Sequence, residues 1–402
     1  MLNLTTYDAA LKNLYPDGLS EILYEKCPLF GWLPKDKNFK GKSKTIVPMY
    51  EGNRVSNTFE DARQDKSDIS LVEFTITRAK MYGMASLDAE TIAASADNMG
   101  ALAKAIETQV RGVQYGMERA FAHQIYGNGF GTLATGDGSW TVSGTTVTVS
   151  DKRDLVHISK GIRLEAIVAA ETSKRTGGQG WVEVASVNRS ASTFTTTVAV
   201  NSVITDIANT DKFIRKGTYN NCIKGLQAWL PPGGVTATPF FGVDRTLDAD
   251  RLGGVHVTAT AVVLEEAVLD AVGDASVQGC HPTDLFINSK RFYQMAKSMH
   301  SKAWVDVEST NPNIGYRGLG FATDYGDINV IPDPNCPYAY GFLLDRDSWE
   351  LCSLGDTPHF AMDDGQKFAR ETDSDGIEFR VRSFHQLTCD APGHNAIITW
   401  AS

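Results

Sequence analysis

The sequence predicts a mixed α+β protein with a β-rich insertion. Three observations carry this reading. One long amphipathic helix spans residues 97–126. A Thr/Val/Ser/Gly-rich block with short β-type runs fills 132–217. The stretch 218–402 mixes strand and helix signals. The chain has 402 residues, enough for two or three domains and a sizeable core.

The first thirty-five residues combine helix and turn signals. "LSEILYEKCPLFGWLP" places Leu19, Ile22, Leu23, Phe30, Trp32 and Leu33 beside Pro28, Gly31 and Pro34. A segment so apolar and so broken is expected to lie against its own body or a neighbour. Residues 35–80 carry ten Lys/Arg against seven Asp/Glu, a positive piece in a chain of net charge -10. "KSKTIVPMY" (42–50) reads as a strand with Pro48 at an edge position. In "SLVEFTITRAKMY" (70–82), Val72, Phe74 and Ile76 share one face, with Glu73, Thr75 and Thr77 opposite. The eighteen residues between are polar and without period, as functional or disordered loops are. Together they predict a long β-arm. An isolated arm is marginal in water, so it needs a surface to lie on.

Between 97 and 126, Met99, Leu102, Ile106, Val110, Val113, Met117, Phe121 and Ile125 recur at steps of three and four. They predict one buried face on a rod of roughly 45 Å. Asp97 is the expected N-cap, and "GNGFG" ends the helix. Gly112 and Gly116 sit inside it, at a close packing contact or a bend. The runs in 132–217 predict a small β-barrel or sandwich, with "VASVNRSASTFTTTVAV" as a hairpin. Further on, "TAVVLEEAVLDAVGDA" gives a helical face of Ala261, Leu264, Val268 and Ala271. Asp284–Ile287 reads as a strand, followed by a helix opened by Asn288 or Ser289. "GDINVIPDPNCP", "AYGFLLDRDSWELC" and two runs in the tail read as strands.

The sequence carries no recognisable motif for catalytic chemistry. There is no H-E-x-x-H, no phosphate-binding Gly-rich loop and no G-x-S-x-G. "GYRGLG" (315–320) has the wrong spacing for a dinucleotide site. "ETDSDG" (371–376) begins like a calcium loop, but Arg382 stands where a carboxylate is required. None of the eight histidines pair at i, i+4. His123, on the long helix, reads as structural or interfacial. The six cysteines form no C-x-x-C, and the nearest two lie sixteen residues apart, so buried reduced thiols are expected. No cofactor or metal is expected. No run approaches a membrane span, and the N-terminus lacks a signal-peptide pattern. The charge balance, 38 Lys/Arg to 48 Asp/Glu, argues against gripping nucleic acid over the whole surface. Most tryptophans read as core; Trp32, in the broken N-terminal segment, is expected at a subunit interface.

The order of these elements resembles the major capsid proteins of tailed double-stranded-DNA bacteriophages, with the HK-97-like fold. "ERAFAHQIYGNG" closes the helix as that family's spine helix closes. "KGLQAWL" (224–230) is similar to the segment after the family's inserted domain. "VDRTLDADRLGG", "HPTDLFINSKRFYQMA" and "GDINVIPDPNCPYAYGFLLDRDSWEL" resemble its later helix and strand passages. The resemblance spans nearly the whole chain apart from 132–217.

It implies an N-terminal arm (1–35), an extended loop (36–83), a spine helix with the start of a peripheral domain (84–131), and an inserted β-rich domain (132–217). An axial domain with part of the peripheral domain (218–372) and C-terminal peripheral strands (373–402) would follow. Such a subunit would be no enzyme. It would assemble as hexamers and pentamers into an icosahedral shell around packaged DNA, which it would touch weakly and non-specifically. Expected inter-subunit contacts are Phe30, Trp32, Lys40, Lys42, Lys44, Arg54, Phe59, Arg63 and Lys66, the basic arm meeting acidic neighbours. Too few residues precede the arm for a cleaved scaffold, so a separate scaffolding protein is expected, with a portal protein and possible decoration protein as further partners. Assembly would occur in the host cytoplasm, with no membrane involved, and the product would be the virion capsid. Lys35 to Lys44 and Lys66 read as salt-bridging charge, not covalent crosslinks. Two alternatives stand beside this reading. One is an encapsulin-type nanocompartment shell, disfavoured by the β insert. The other is a β-rich hydrolase with a binding insert, which nothing in the motifs signals.

Overall fold

A computed structural model of the chain describes residues 27–64, 66, 69–88, 99–259, 263–279, 282–299, 319–323, 326–361, 368–370 and 375–400. The expected Asp97 cap, the side chains of Met99, Leu102 and Ile106, Ala261, Cys280, Trp304 and the start of the acidic loop at 371 lie outside these residues.

The elements follow in chain order. Helix α1 (Pro28–Trp32) leads into β1 (Lys35–Asp36), β2 (Ser43–Ile46) and β3 (Met49–Glu51). Then come α2 (Phe59–Gln64), β4 (Ser70–Leu71), β5 (Phe74–Thr77), β6 (Ala79–Asp88) and the 26-residue helix α3 (Met99–Gln124). Six strands follow: β7 (Thr132–Thr135), β8 (Thr146–Thr148), β9 (Arg163–Ile167), β10 (Val182–Asn188), β11 (Thr193–Thr196) and β12 (Lys212–Arg215). The remainder holds β13 (Val255–Ala259), α4 (Leu264–Val277), β14 (Asp284–Ile287), α5 (Ser289–Met299), β15 (Leu319–Thr323), β16 (Gly326–Pro332), β17 (Tyr340–Leu344) and β18 (Trp349–Ser353). It ends with β19 (His359–Phe360), β20 (Phe368–Arg370), β21 (Gly376–Cys389) and β22 (Ala396–Trp400).

The chain divides into two compact units: one comprises Met1–Glu118 and Leu226–Ser402, the other Arg119–Gly225. In the first, β21 is the organising strand. It pairs antiparallel with β6 from Gly376↔Asp88 to His385↔Ala79, and β18, β19 and β20 join it. A second sheet runs β13-β22-β17-β14-β16-β15, with parallel pairs β13/β22 and β14/β16. All four residues of β14 are buried, as a central strand covered on both faces requires. Val268, Ala271 and Ala275 of α4 pack with Leu285, Ile287, Val330, Leu343 and Ile398 into one core cluster. Asn288 settles the start of α5: its Oδ1 accepts the backbone N–H of Lys290 at 3.0 Å.

The Arg119–Gly225 unit contains a six-stranded sheet in the order β7-β12-β9-β10-β11-β8. Its ends meet. Asp137 N–H donates to Thr148 O (3.1 Å), Ser150 N–H donates to Thr135 O (2.9 Å), and Gly136 bridges Val149. The sheet therefore closes into a barrel, leaving no edge between β7 and β8. Gly136 permits the closure, since a Cβ there would stand 2.2 Å from Asn209 O. Alternate residues Val147, Leu164, Val182, Val184, Phe194 and Phe213 fill the interior.

The stripe on α3 buries Val110, Met117 and Phe121, with Ile125 just beyond its end. A Cβ at Gly112 or Gly116 would meet nothing within 4 Å, so neither glycine serves a close contact within the described protomer. The glycine that does is Gly83 on β6, where a Cβ would lie 2.5 Å from Val113 Cγ1.

Candidate assembly surface

The stretch 35–88 is built as a hairpin with a firm base and an exposed tip. β2 and β5 pair antiparallel from Ser43↔Thr77 to Ile46↔Phe74. The single strand expected over 42–50 is interrupted at Val47–Pro48, because proline has no N–H to give a ladder. Beyond the break, β3 and β4 continue the ribbon with a register shift. Val72, Phe74 and Ile76 are buried and Glu73, Thr75 and Thr77 exposed, the alternation the sequence predicts.

The base is part of the protomer's core. Phe74 lies 5.4 Å from the Trp229 ring and 6.4 Å from Phe240. Arg245 stacks 4.2 Å over Phe240 and donates to Ala228 O and Trp229 O. Thr75 N–H donates to Phe241 O at 2.9 Å, and Arg251 pairs with Glu51 at 2.5 Å. Among the described residues the tip has no such support. Val55 is 93% and Phe59 83% exposed, and Val47, Met49, Ile69 and Leu71 are exposed as well. Six large apolar side chains on one slender ribbon make a surface that water does not favour.

The expected contact residues fall into two groups. Phe30 and Trp32 are corrections. Their aromatic surface lies inside the protomer, at 0% and 3% exposure, so it is not available to a neighbour. Trp32 Nε1–H donates to the buried Asp284 Oδ2 at 2.8 Å and its ring stands edge-on to Phe286 at 5.2 Å. Composition marked an apolar segment, but only tertiary packing decides whether it is covered by self or neighbour. Lys44 also turns inward. Its ammonium donates to Glu350 (2.7 Å), Asp36 (3.0 Å) and Cys352 Sγ (3.1 Å). Burial opposes its charge, yet the hydrogen bonds to Glu350, Cys352 and Asp36 outweigh this and raise its pKa. Asp36 is held low, first by the Asn38 backbone N–H and then by Lys44, while burial pushes the Cys352 thiol up to about 11.

Asp36, Glu350 and Cys352 are also the one set among the described residues whose donor atoms converge closely enough for a metal ion. Lys44 places the chain's own cation at those three atoms. The remaining residues are exposed: Lys40, Lys42, Arg54, Phe59, Arg63 and Lys66. Arg63 forms an i,i+3 pair with Glu60 at 3.0 Å. The exposed apolar set Val55, Met49 and Leu71 was not singled out from sequence, because isolated apolar residues in a polar loop carry no periodic signal.

The family described as SU10 major capsid protein matches residues 78–376. In the capsid asymmetric unit of cyanophage A-1(L), a chain superposes with TM-score 0.51 at 11% identity, covering 93% of this chain and 92% of that one. The capsid of cyanophage P-SCSP1u matches with TM-score 0.42 at 9% identity (92% and 87% covered). That of a native GTA particle matches with TM-score 0.43 at 9% identity (92% and 89% covered). No curated protein matches. The fold is thus the mixed α+β, HK97-like fold of phage shells. The chain belongs to the SU10 major capsid protein family. It is a shell-forming structural protein that associates with itself in the virion capsid, and the nanocompartment alternative is not favoured. Among the described residues no helix is long and apolar enough to cross a membrane.

Proposed function

We propose that the chain assembles as hexamers and pentamers into an icosahedral shell around double-stranded DNA, and that the 35–88 hairpin clasps the adjacent subunit. The observation that carries this reading is the contrast within the hairpin: a base locked to Trp229 and Phe240, and an apolar tip left exposed among the described residues. Each subunit gives one tip and receives another, a heterologous contact that propagates around a ring. Phe59 and Val55 supply the buried area, and Lys40, Lys42, Arg54 and Lys66 supply charge for an acidic neighbour. Residues 35–80 are net positive and the rest of the chain is correspondingly negative. An acidic inner wall would let packaged DNA move without sticking.

The same reading assigns the extended loop to 36–83, the spine to α3, the inserted domain to 132–217, and the axial and peripheral parts to the remainder. It includes a separate scaffolding protein, a portal, an optional decoration protein, assembly in the host cytoplasm, and no catalytic activity. The absence of catalytic motifs in the sequence supports the last point.

The test is a paired substitution, Val55→Ser with Phe59→Ser. Both positions are solvent-exposed, so the folded subunit should keep its circular dichroism and Tm. Electron microscopy and sedimentation should show closed particles for the parent chain and mostly small species for the variant. Particles formed in equal yield by the variant would sink the clasp.

A further inference from the structure

The sheet β13-β22-β17-β14-β16-β15 carries α4 and α5 side by side on one face. Leu285 and Ile287 of β14, Leu343 of β17 and Ile398 of β22 pack with Val268 and Ala271 of α4 and Met295 of α5 in one cluster. Ser298 marks the seam between the helices, its hydroxyl donating to Glu265.

Each helix leaves another flank exposed, and the two flanks are chemically opposite. On α4, Glu266, Asp270 and Asp274 recur at steps of four beside the exposed row Leu269, Gly273 and Val277. Val277 is 82% and Leu269 49% exposed, and a Cβ at Gly273 would meet nothing within 4 Å. On α5, the exposed Lys290 and Lys297 flank Tyr293, which is 65% exposed. At about 100° per residue, Asp270 and Asp274 stand on the side of α4 turned away from Glu265. By the same count Tyr293 stands on the side of α5 turned away from Ser298. The acidic and basic faces therefore diverge within one subunit.

Both faces are unfavourable in an isolated subunit. Like charges at i, i+4 repel. Asp274 lies in the last turn of α4 and Lys290 in the first turn of α5, each against its helix dipole. Gly273 weakens α4, and no close contact in the described protomer requires it. Among the described residues, Glu266, Asp270, Asp274 and Lys297 have no ion-pair partner in the protomer. Yet the faces match each other. Lys290 and Lys297 are about 10 Å apart along α5, and Glu266 and Asp274 about 12 Å apart along α4. Tyr293 stands between the two lysines as Gly273 stands between Leu269 and Val277.

We propose that the acidic face of α4 docks against the basic face of α5 on a second copy of the chain. Tyr293 enters the notch at Gly273, and Lys290 and Lys297 meet Glu266, Asp270 and Asp274. The aromatic ring supplies buried contact area and the opposed charges fix the register. Each subunit carries one face of each kind, so the contact is heterologous and repeats around a ring. This inference rests on the shell-forming reading and adds to the hairpin clasp a second, separate contact.

The test reverses charges in the full-length chain. Asp270→Lys with Asp274→Lys makes both faces basic; Lys290→Glu with Lys297→Glu makes both acidic. All four positions are exposed, so the dissociated subunits should keep the parent's circular dichroism and Tm. Either pair should lower the yield of closed particles about tenfold or more, read by sedimentation and electron microscopy. The four substitutions in one chain restore opposite charges across the contact and should restore most of the yield, which a general folding defect would not allow. Carbodiimide coupling of mixed unlabelled and isotope-labelled parent chains should join peptides carrying Asp270 or Asp274 to peptides carrying Lys290 or Lys297 across copies. Equal particle yield from both charge-reversed pairs, no rescue in the fourfold chain, or parent particles without such links would overturn the docking and leave the shell reading intact. Links from Asp270 or Asp274 to Lys40, Lys42 or Lys66 instead would give the α4 face to the hairpin and overturn it as well. A parent chain that forms no closed particles counts against the shell reading. The links in its smaller oligomers then decide the docking, their presence supporting it and their absence overturning it.

Discussion

Trp32 is 3% exposed, so its indole N–H must find a partner inside the protomer. In a broken apolar segment it reads as an interface anchor. In the fold its indole N–H meets Asp284, which also accepts the Thr283 hydroxyl at 2.6 Å. Trp32→Phe keeps the ring against Phe286 and removes the donor, leaving a buried carboxylate short of one bond. The expected cost is about 1–3 kcal/mol, read by urea unfolding of the full-length chain. Asp284→Asn in the same background should recover part of it, because the uncompensated charge is then gone. No loss in Trp32→Phe would show that the bond contributes nothing. Cysteine behaved as expected among the described residues: Cys27, Cys222, Cys336, Cys352 and Cys389 are buried thiols outside any disulfide.

At the scale of elements, glycine separates what periodicity can and cannot say. The apolar stripe placed α3 to within two residues at each end, because a 3.6-residue period sustained over seven turns has no other reading. It could not say why Gly112 and Gly116 lie within it. Gly112 is exposed, and a Cβ there meets nothing. Gly112→Ala should therefore stabilise the subunit by about 0.5–1 kcal/mol through helix propensity alone. Gly83→Ala should do the opposite, costing about 1–3 kcal/mol by overpacking against Val113. Val113→Ala in the same chain should relieve much of that penalty. Equal Tm shifts for the two alanines would contradict this assignment of roles. The barrel belongs to this scale too. The even spacing of its short β-type runs and turns is visible in the sequence, but barrel and sandwich remain open there. Backbone hydrogen bonds between residues 135–137 and 148–150 decide for the barrel.

For the whole molecule, buried histidines predict acid sensitivity. Burial holds His385 down to about 3 and His123 to about 4, against an ordinary 6.5. The unfolded chain takes up these protons below pH 6.5 and the folded chain does not, so this contribution to stability is complete above 6.5. It falls away as pH drops toward 4 and then 3. Asp154 acts in the opposite sense. Burial, with Asp151 beside it, raises its carboxyl to about 7, so its contribution is complete below 3.8 and is lost as pH rises through 7. Tm should therefore decline on acidification below 6.5. His385→Asn should flatten that decline, and Asp154→Asn should steepen the net fall by removing the opposing term. A Tm independent of pH from 6.5 to 4 in the parent chain would contradict both assignments.

Local pattern by itself determined a good deal of this protein. It gave the long helix, the alternation on β5, the strand at 284–287 with its following helix, the barrel-forming block and the order that marks a phage shell subunit. These are encoded in the spacing of neighbouring residues, where sterics and burial act within a few positions. The tertiary structure alone decided which apolar surface stays exposed. Trp32 is covered by residues some 250 positions away in the chain, whereas Val55 and Phe59 stay exposed among the described residues. It alone drew Lys44 to Asp36 and Glu350. The physical reason is common to all of these. Burial and charge compensation depend on which distant segments meet, and no local period records that meeting.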